Sequence, residues 1–298
     1  MAAPLLVADA PYLLYRAYFA LPASIKGAGS KPVNALLGAA NSLLQVISEI
    51  RPRAVAVCFG AEQASYRVQL YSGYHANRDP MPEALRHQFE LAPELFKAFG
   101  WQTPESAEFE ADDLLGAYAL AESAAGGETC VLTGDRDLYQ CVSASVSVLY
   151  LRQGAAGFER VTAAEVKHRY GISPAQVPDF IALRGDPSDN LPGAPGVGEK
   201  TAAKLLERHG SLDALLDALG SSSTPRESHG ERPKLAATLR ENAEQLRIFR
   251  QIACLQPLDV MRPPDRLTDF QSAAAAAAAL GMGKLAGRLE QATAKTVA

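Results

Sequence analysis

The apolar positions of the chain fall into two regimes that change near residue 160. Before it, short apolar runs alternate with stretches of helical spacing. Leu5 to Ala8, Ala54 to Phe59, Thr129 to Thr133 and Val146 to Leu151 run almost continuously apolar, as strands buried on both faces do. Between them, Asn34 to Ile50 places Leu36, Leu37, Leu43, Leu44 and Ile47 on a helical repeat, and Phe109 to Ser123 reads as a further helix. Strand, helix, strand in that order implies parallel pairing, so the expected fold class is α/β, a mostly parallel three-layer domain over residues 1–160. After it the strand pattern stops. Helical spacing covers Thr162 to Tyr170, Ser173 to Arg184 (cap Ser173, Pro174 in first position), about Lys234 to Ala253, and Ser272 to Ala294. A helical domain is therefore expected over 161–298, with Ser221 to Glu231 as a low-complexity loop.

The polar residues that interrupt this pattern are mostly acids, and they recur where strands end or helices begin. Asp9 closes the first run, Glu110, Asp112 and Asp113 open a helix, Asp135 and Asp137 follow the third run, and Asp186 and Asp189 sit in a later loop. Such a set would repel itself unless cations joined it. Hard divalent ions, Mg²⁺ or Mn²⁺, are the matching partners, since no Cys/His set suits zinc. Taken singly, each Asp could equally be a cap or turn residue, and the acids at 110–113 also suit the positive end of a helix dipole.

Composition adds limits. The 298 residues are 48% hydrophobic with a formal net charge of −4, so no overall basic signature of nucleic-acid binding exists and local basic surfaces must carry any such role. Cys58, Cys130, Cys141 and Cys254 are scattered without a CxxC pair and read as buried thiols of a reducing compartment. The first apolar stretch is broken by Asp9 and lacks a basic flank, so no signal peptide is expected. No run suits a bilayer span. A soluble, cytoplasmic protein is expected.

Local basic signals do occur. Tyr66 to Lys97 interleaves Tyr66, Tyr71 and Tyr74 with Arg67, His75, Arg78, Arg86 and His87, as a single-strand-binding segment would; the competing reading is a surface helix with packing tyrosines. The stretch Gly196-Val-Gly198-Glu-Lys200-Thr201 leads into a helix whose first backbone N–H groups are free for an anion, with Lys200 and Lys204 on one face. Glu199 separates the glycine from the lysine, which excludes a Walker A loop.

Read together and in order, LLVADAPYLLYRAY, SYR…GYHANRDPMPEAL, FEADDLLGAYA, TGDRDLYQ and ALRGDPSDNLPGAPGVGEKTAAKLL resemble the 5′ nuclease family: the 5′→3′ exonuclease domain of bacterial DNA polymerase I, stand-alone bacterial and phage 5′ nucleases, and flap endonucleases. The resemblance covers nearly the whole chain. It implies a PIN-like domain with a helical arch or clamp near 66–97, and a helix-three-turn-helix module near 185–216 that binds duplex backbone, often with K⁺. It implies two divalent ions, one held by Asp9, Glu110 and Asp112 and the other by Asp135, Asp137, Asp186 and Asp189, with Asp112 or Asp113 between them. It further implies that Arg78 neutralises the scissile phosphate and that Tyr74 stacks on a base. Arg16, Gly196, Gly198, Lys200, Thr201 and Lys204 would contact DNA carrying a 5′ flap or overhang, or an RNA/DNA hybrid, the protein acting as a nucleoid-associated monomer in replication and repair. The chain departs from the family pattern in having Gly60 where Asp is usual and His75 where Lys is usual. A lost carboxylate should raise the metal requirement, with Gly60→Asp lowering it. A His with an ordinary pKa of about 6.5 should carry little charge at neutral pH and confer a pH-dependent component on cleavage. A branched-DNA-binding protein without turnover and a related ribonuclease are the competing functional readings.

Overall fold

The computed structural model describes residues 3–152, 157–220 and 233–297; the expected loop at Ser221 to Glu231 lies outside them. Five strands form one sheet: β1 (Leu5–Asp9), β2 (Ala54–Cys58), β3 (Thr129–Leu132), β4 (Val146–Leu151) and β5 (Phe158–Val161). Their order is β2-β1-β3-β4-β5, all neighbours being parallel except β4 and β5. The helices are α1 (Ala10–Ala20), α2 (Asn34–Ile50), α3 (Ser65–Leu70), α4 (Glu83–Ala98), α5 (Ala111–Ala124), α6 (Ala163–Tyr170), α7 (Val177–Arg184), α8 (Glu199–His209), α9 (Leu212–Gly220), α10 (Pro233–Glu241), α11 (Ala243–Ala253), α12 (Phe270–Ala279) and α13 (Gly283–Val297).

Alternation along the strands divides the interior in two. Leu5, Val7, Ala54, Ala56, Val131 and Val148 face a core shared with α5 and the helices α7 to α11. Leu6, Ala8, Val55, Val57, Leu132 and Leu149 face the other core, built with α1, α2 and α4. Both faces are covered, which is why the strands read as unbroken apolar runs.

The tail does not stay with the helical half. Ala273, Ala277, Leu285 and Leu289 of α12 and α13 complete the second core, so the chain returns to the face it began on. The strand-free segment before α12 is strapped down by backbone and side-chain bonds: Arg53 Nη1 donates to the Pro263 carbonyl at 2.7 Å, Arg266 N to the Arg53 carbonyl at 2.8 Å, and Trp101 Nε1 to Thr268 Oγ1 at 3.0 Å. The single helix expected over 272–294 is broken at Gly281, whose φ is +77°, and the one over 234–253 at Asn242. Strand β5 escapes sequence reading because it is a half-exposed antiparallel edge whose middle residues are Glu159 and Arg160.

Strand β1 lies between β2 and β3, so the chain leaves β1 toward one side and enters β3 on the other. The crevice beyond the carboxyl ends of β1 and β3 is where such sheets place ligands.

Candidate metal and nucleic-acid site

Asp9 ends β1 and doubles as the cap of α1: its Oδ1 accepts the Tyr12 N–H at 2.9 Å, and its Oδ2 accepts the Thr133 hydroxyl at 2.7 Å. Thr133 Oγ1 in turn accepts the Asp135 N–H at 3.0 Å, and Asp135 Oδ1 accepts the Asp137 N–H at 2.8 Å. Thr133, which in the sequence is simply the last residue of an apolar run, thus links the acids of adjacent strand ends. The loop after α7 folds on itself, Asp186 Oδ1 accepting Ser188 N–H at 2.8 Å and its Oδ2 accepting Arg184 Nη2 at 3.1 Å.

These acids meet at one cleft of about 1110 Å³, lined by Asp9, Glu110, Asp112, Asp135, Asp186 and Asp189. Asp137 is buried beside it. Electrostatics shows how closely they crowd. Loss of water and then the charges of Asp135 and Asp9 push the Asp112 carboxyl well above the usual range. Burial, with Asp189, Asp9 and Asp186 adding to it, pushes Asp135 up to about 7. Burial and then Asp135 raise Asp137, while Arg184 opposes the shift. Asp9 is raised chiefly by burial. Carboxylates that hold one another's protons on in this way are poised for a counter-cation. Among the described residues no three Asp, Glu, His or Cys side chains are drawn together as a finished ligand set. The donor chemistry is nonetheless that of hard oxygen ligands for a divalent ion.

Two of the expected ligands have other partners. Asp113 is 0% exposed and points away from the cleft, where Arg67 grips both its oxygens at 2.9 Å. It also accepts the N–H groups of Glu110 at 3.2 Å and Gln256 at 2.9 Å, so it closes the capping box of α5 and does not stand between metal groups. The helical phase separates it from Asp112 by about 100°. Glu110 lines the cleft, but its oxygens already accept the Ala64 N–H at 2.7 Å and the Tyr74 hydroxyl at 2.9 Å, and Arg67 Nη1 lies 3.0 Å away.

The segment near 66–97 is not one arching helix. It forms α3, an irregular turn and α4. Tyr74 is 3% exposed, so its ring is not open to a base, and Arg67 is buried in its ion pairs. Arg78 is exposed and lines the cleft along with Arg86 and Arg136, neither of which the family resemblance places in the site. Arg16 donates to the Arg152 carbonyl at 2.7 Å. Beyond the 193–196 turn, where Gly193 and Gly196 take φ of +67° and +77°, Gly198 caps α8; Lys200 and Lys204 are exposed and Thr201 half-buried in its first turns.

Gly60 has a steric reason. A Cβ there would come 2.1 Å from the Ala111 backbone N and 2.3 Å from the Glu110 carbonyl carbon, so the head of α5 rests directly on it. The expectation that Gly60→Asp would lower the metal requirement therefore fails on packing. That substitution is expected to destabilise the fold by about 1–3 kcal/mol or more in urea unfolding; wild-type stability with a lower metal requirement would contradict this.

Comparison with known proteins agrees with this architecture. The model of the 5′-3′ exonuclease N-terminal resolvase-like domain matches residues 4–171, and that of the 5′-3′ exonuclease C-terminal SAM fold matches 172–272. A 5′-3′ exonuclease of Mycobacterium tuberculosis (strain ATCC 25618 / H37Rv) is 36% identical over 316 residues, covering 98% of each chain. DNA polymerase I of Mycobacterium leprae (strain TN) is 40% identical over 267 residues, which are 88% of this chain but only 29% of that protein. In fold, the T5 D15 protein co-crystallised with metal ions superposes with a TM-score of 0.69 at 18% identity, covering 97% of this chain and 98% of the other. The catalytic core of Rad2 in complex with DNA substrate gives 0.64 at 13% identity, covering 97% and 90%. By sequence along nearly its whole length, the chain belongs to the 5′-3′ exonuclease family.

Proposed function

We propose that the protein is a structure-specific 5′ nuclease that hydrolyses phosphodiesters at 5′ ends or flaps of DNA, dependent on Mg²⁺ or Mn²⁺. The observation that carries the reading is the convergence of Asp9, Asp112, Asp135 and Asp137 at the sheet's switch point, where burial raises all four carboxyls and neighbouring acids push Asp112, Asp135 and Asp137 further up. Asp9, Asp112, Asp135, Asp137, Asp186 and Asp189 would hold the divalent ions, whose chemistry there would be activation of a water and neutralisation of charge on the leaving oxygen. The chain's own residues do the rest. The Tyr12 N–H and the Thr133 hydroxyl fix the Asp9 carboxylate between α1 and β3. Arg78, Arg86 and Arg136 line the cleft with positive charge for the phosphates of a single strand. On α8, Lys200 and Lys204 are one turn apart and exposed, suited to successive phosphates of a flanking duplex, and K⁺ at the turn before Gly198 is part of this reading by family resemblance alone. The protein is read as acting on chromosomal DNA as a monomer. Among the described residues no helix is long and apolar enough to cross a membrane.

A panel of 5′-flap, 5′-overhang, RNA/DNA hybrid and blunt duplex substrates with Mn²⁺, each with an EDTA control, tests the reading. Cleavage near the junction of flap substrates, above that of blunt duplex, is expected; equal cleavage of all four would contradict structure specificity. Lys200→Ala with Lys204→Ala is expected to weaken binding of duplex-containing substrates. The slope of log affinity against log salt should become shallower by about 0.9 for each phosphate that is no longer neutralised. An unchanged slope would move the duplex contact off α8.

A further inference from the structure

The turn between α3 and α4 carries Tyr74, His75 and Arg78, all of which the family resemblance places at the substrate; Arg78 is exposed, but the structure turns Tyr74 and His75 inward. The Tyr74 hydroxyl donates to Glu110 Oε2 at 2.9 Å. The His75 side chain is 5% exposed, and its Nε2 lies 2.9 Å from Asp189 Oδ1. With Asp189 ionised, as a cation ligand is, the carboxylate only accepts and Nε2–H is the donor of this bond. The two rings lie on each other, centroids 3.9 Å apart and planes 22° from parallel. A stacked pair thus spans the cleft from Glu110, at the head of α5, to Asp189, in the loop after α7.

The backbone holds this arrangement at some cost. His75 takes φ of +54°, a left-handed conformation that non-glycine residues seldom adopt. Its Nδ1 is buried with no partner. What keeps it there is a set of bonds to the Asp189 loop: His75 N–H to the Asp189 carbonyl at 3.2 Å, Asn190 Nδ2 to the Gly73 carbonyl at 2.7 Å, and Asn77 Nδ2 to Asn190 Oδ1 at 3.0 Å. Local strain that surrounding bonds enforce is a mark of a functional constraint.

We propose that the Tyr74–His75 pair, set in the wall of the cleft, is a brace, with His75 a positioning residue that holds Asp189 in the cation site and not a contact for the substrate phosphate. The inference rests on the metal-dependent reading above. Asp189 lines the same cleft as Asp9, Asp112, Asp135 and Asp186, and His75 Nε2 holds its Oδ1 at 2.9 Å, so the imidazole sets where the other carboxylate oxygen is presented. Hydrogen bonds to a ligating carboxylate orient it, and losing such a partner typically costs about 10–100-fold in metal affinity. The imidazole in place of the family's lysine is then a change of role, in which a long flexible cation reaching the cleft gives way to a planar donor seated beneath a carboxylate.

The test uses the whole protein and Mn²⁺ as probe. His75→Phe keeps the stack and removes the N–H. Calorimetric titration without DNA is expected to show Mn²⁺ affinity lower by about 10–100-fold, while affinity for a 5′-flap DNA in EDTA, and its salt slope, stay at wild-type values. His75→Gln, which returns an N–H donor, is expected to recover most of the lost Mn²⁺ affinity. Should His75→Phe not fold, His75→Asn replaces it, since Asn tolerates the left-handed backbone and is too short to reach Asp189. Wild-type Mn²⁺ affinity in a folded variant overturns the brace. So does a weaker EDTA affinity for DNA with a salt slope reduced by about 0.9, which would make His75 a phosphate contact. If the wild-type protein itself takes up no Mn²⁺, it is the metal-dependent function that fails.

Discussion

Exchanging Asp135 for Asn is expected to leave a protein that binds 5′-flap DNA and does not cut it. The carboxylate sits at the centre of the cluster, within influence of Asp9, Asp137, Asp186 and Asp189, and its N–H is already committed to Thr133. Asn keeps the volume and removes the charge, so the fall in cleavage should be at least the roughly 100-fold seen when one well-placed charge-stabilising group is lost. Binding in EDTA should hold or improve, because one repulsive charge has gone. Cleavage near wild type would remove Asp135 from the site. The same crowding makes a prediction about stability. Asp9, Asp112, Asp135 and Asp137 all have folded-state pKa values raised above the ordinary 3.8, with Asp135 at about 7. Through that window these four groups bind more protons in the folded protein in EDTA than in the unfolded chain, so their contribution to stability is largest at low pH and falls as pH rises, by about 1.4 kcal/mol per pH unit for each proton involved. Thermal melts in EDTA from about pH 5 to about pH 8 should show the decline. Asp135→Asn should flatten it, as should saturating Mn²⁺; melting temperatures that rise with pH in EDTA would contradict the electrostatic account.

Arg67→Met is expected to be the most destabilising single change, costing about 3–5 kcal/mol, because it leaves a buried carboxylate without its counter-charge. Arg67 reaches both oxygens of Asp113, lies against Glu110, and donates Nε to the Ile252 carbonyl at 3.0 Å, so it joins α3, α5 and α11. Such a loss is a large share of the roughly 5–15 kcal/mol that holds a typical domain. Urea unfolding measures it. Combining Arg67→Met with Asp113→Asn should recover part of the stability, since the amide removes the uncompensated charge and keeps an oxygen for the Glu110 and Gln256 N–H groups. A cost under about 1 kcal/mol for Arg67→Met would mean that Asp113 keeps its place without the arginine, contrary to its burial.

Much of this is legible in the chain. The strands β1 to β4 announce themselves because a parallel sheet covered on both faces needs apolar residues at every position, and the acids at their ends point to the crevice. What stays hidden depends on partners distant in sequence. Asp112 and Asp113 are adjacent letters, and only the phase of α5 against Arg67 shows that one faces the cleft and the other the core. Tyr74 and His75 look like surface ligands until the Asp189 loop closes over them. Gly60 reads as a missing ligand, whereas the approach of Ala111 explains why no side chain fits. The alanines of α12 give no sign of which core they join, since small apolar residues suit either face.

Single-turnover cleavage of a 5′-labelled flap DNA against Mn²⁺ concentration, run on the wild-type protein and Asp135→Asn, tests the central claim most directly. The account predicts no product in EDTA, product rising to saturation with Mn²⁺ for the wild type, and little or none at any concentration for the variant. Tight flap binding by the wild type with no product at any Mn²⁺ concentration, or equal product in EDTA, would contradict it.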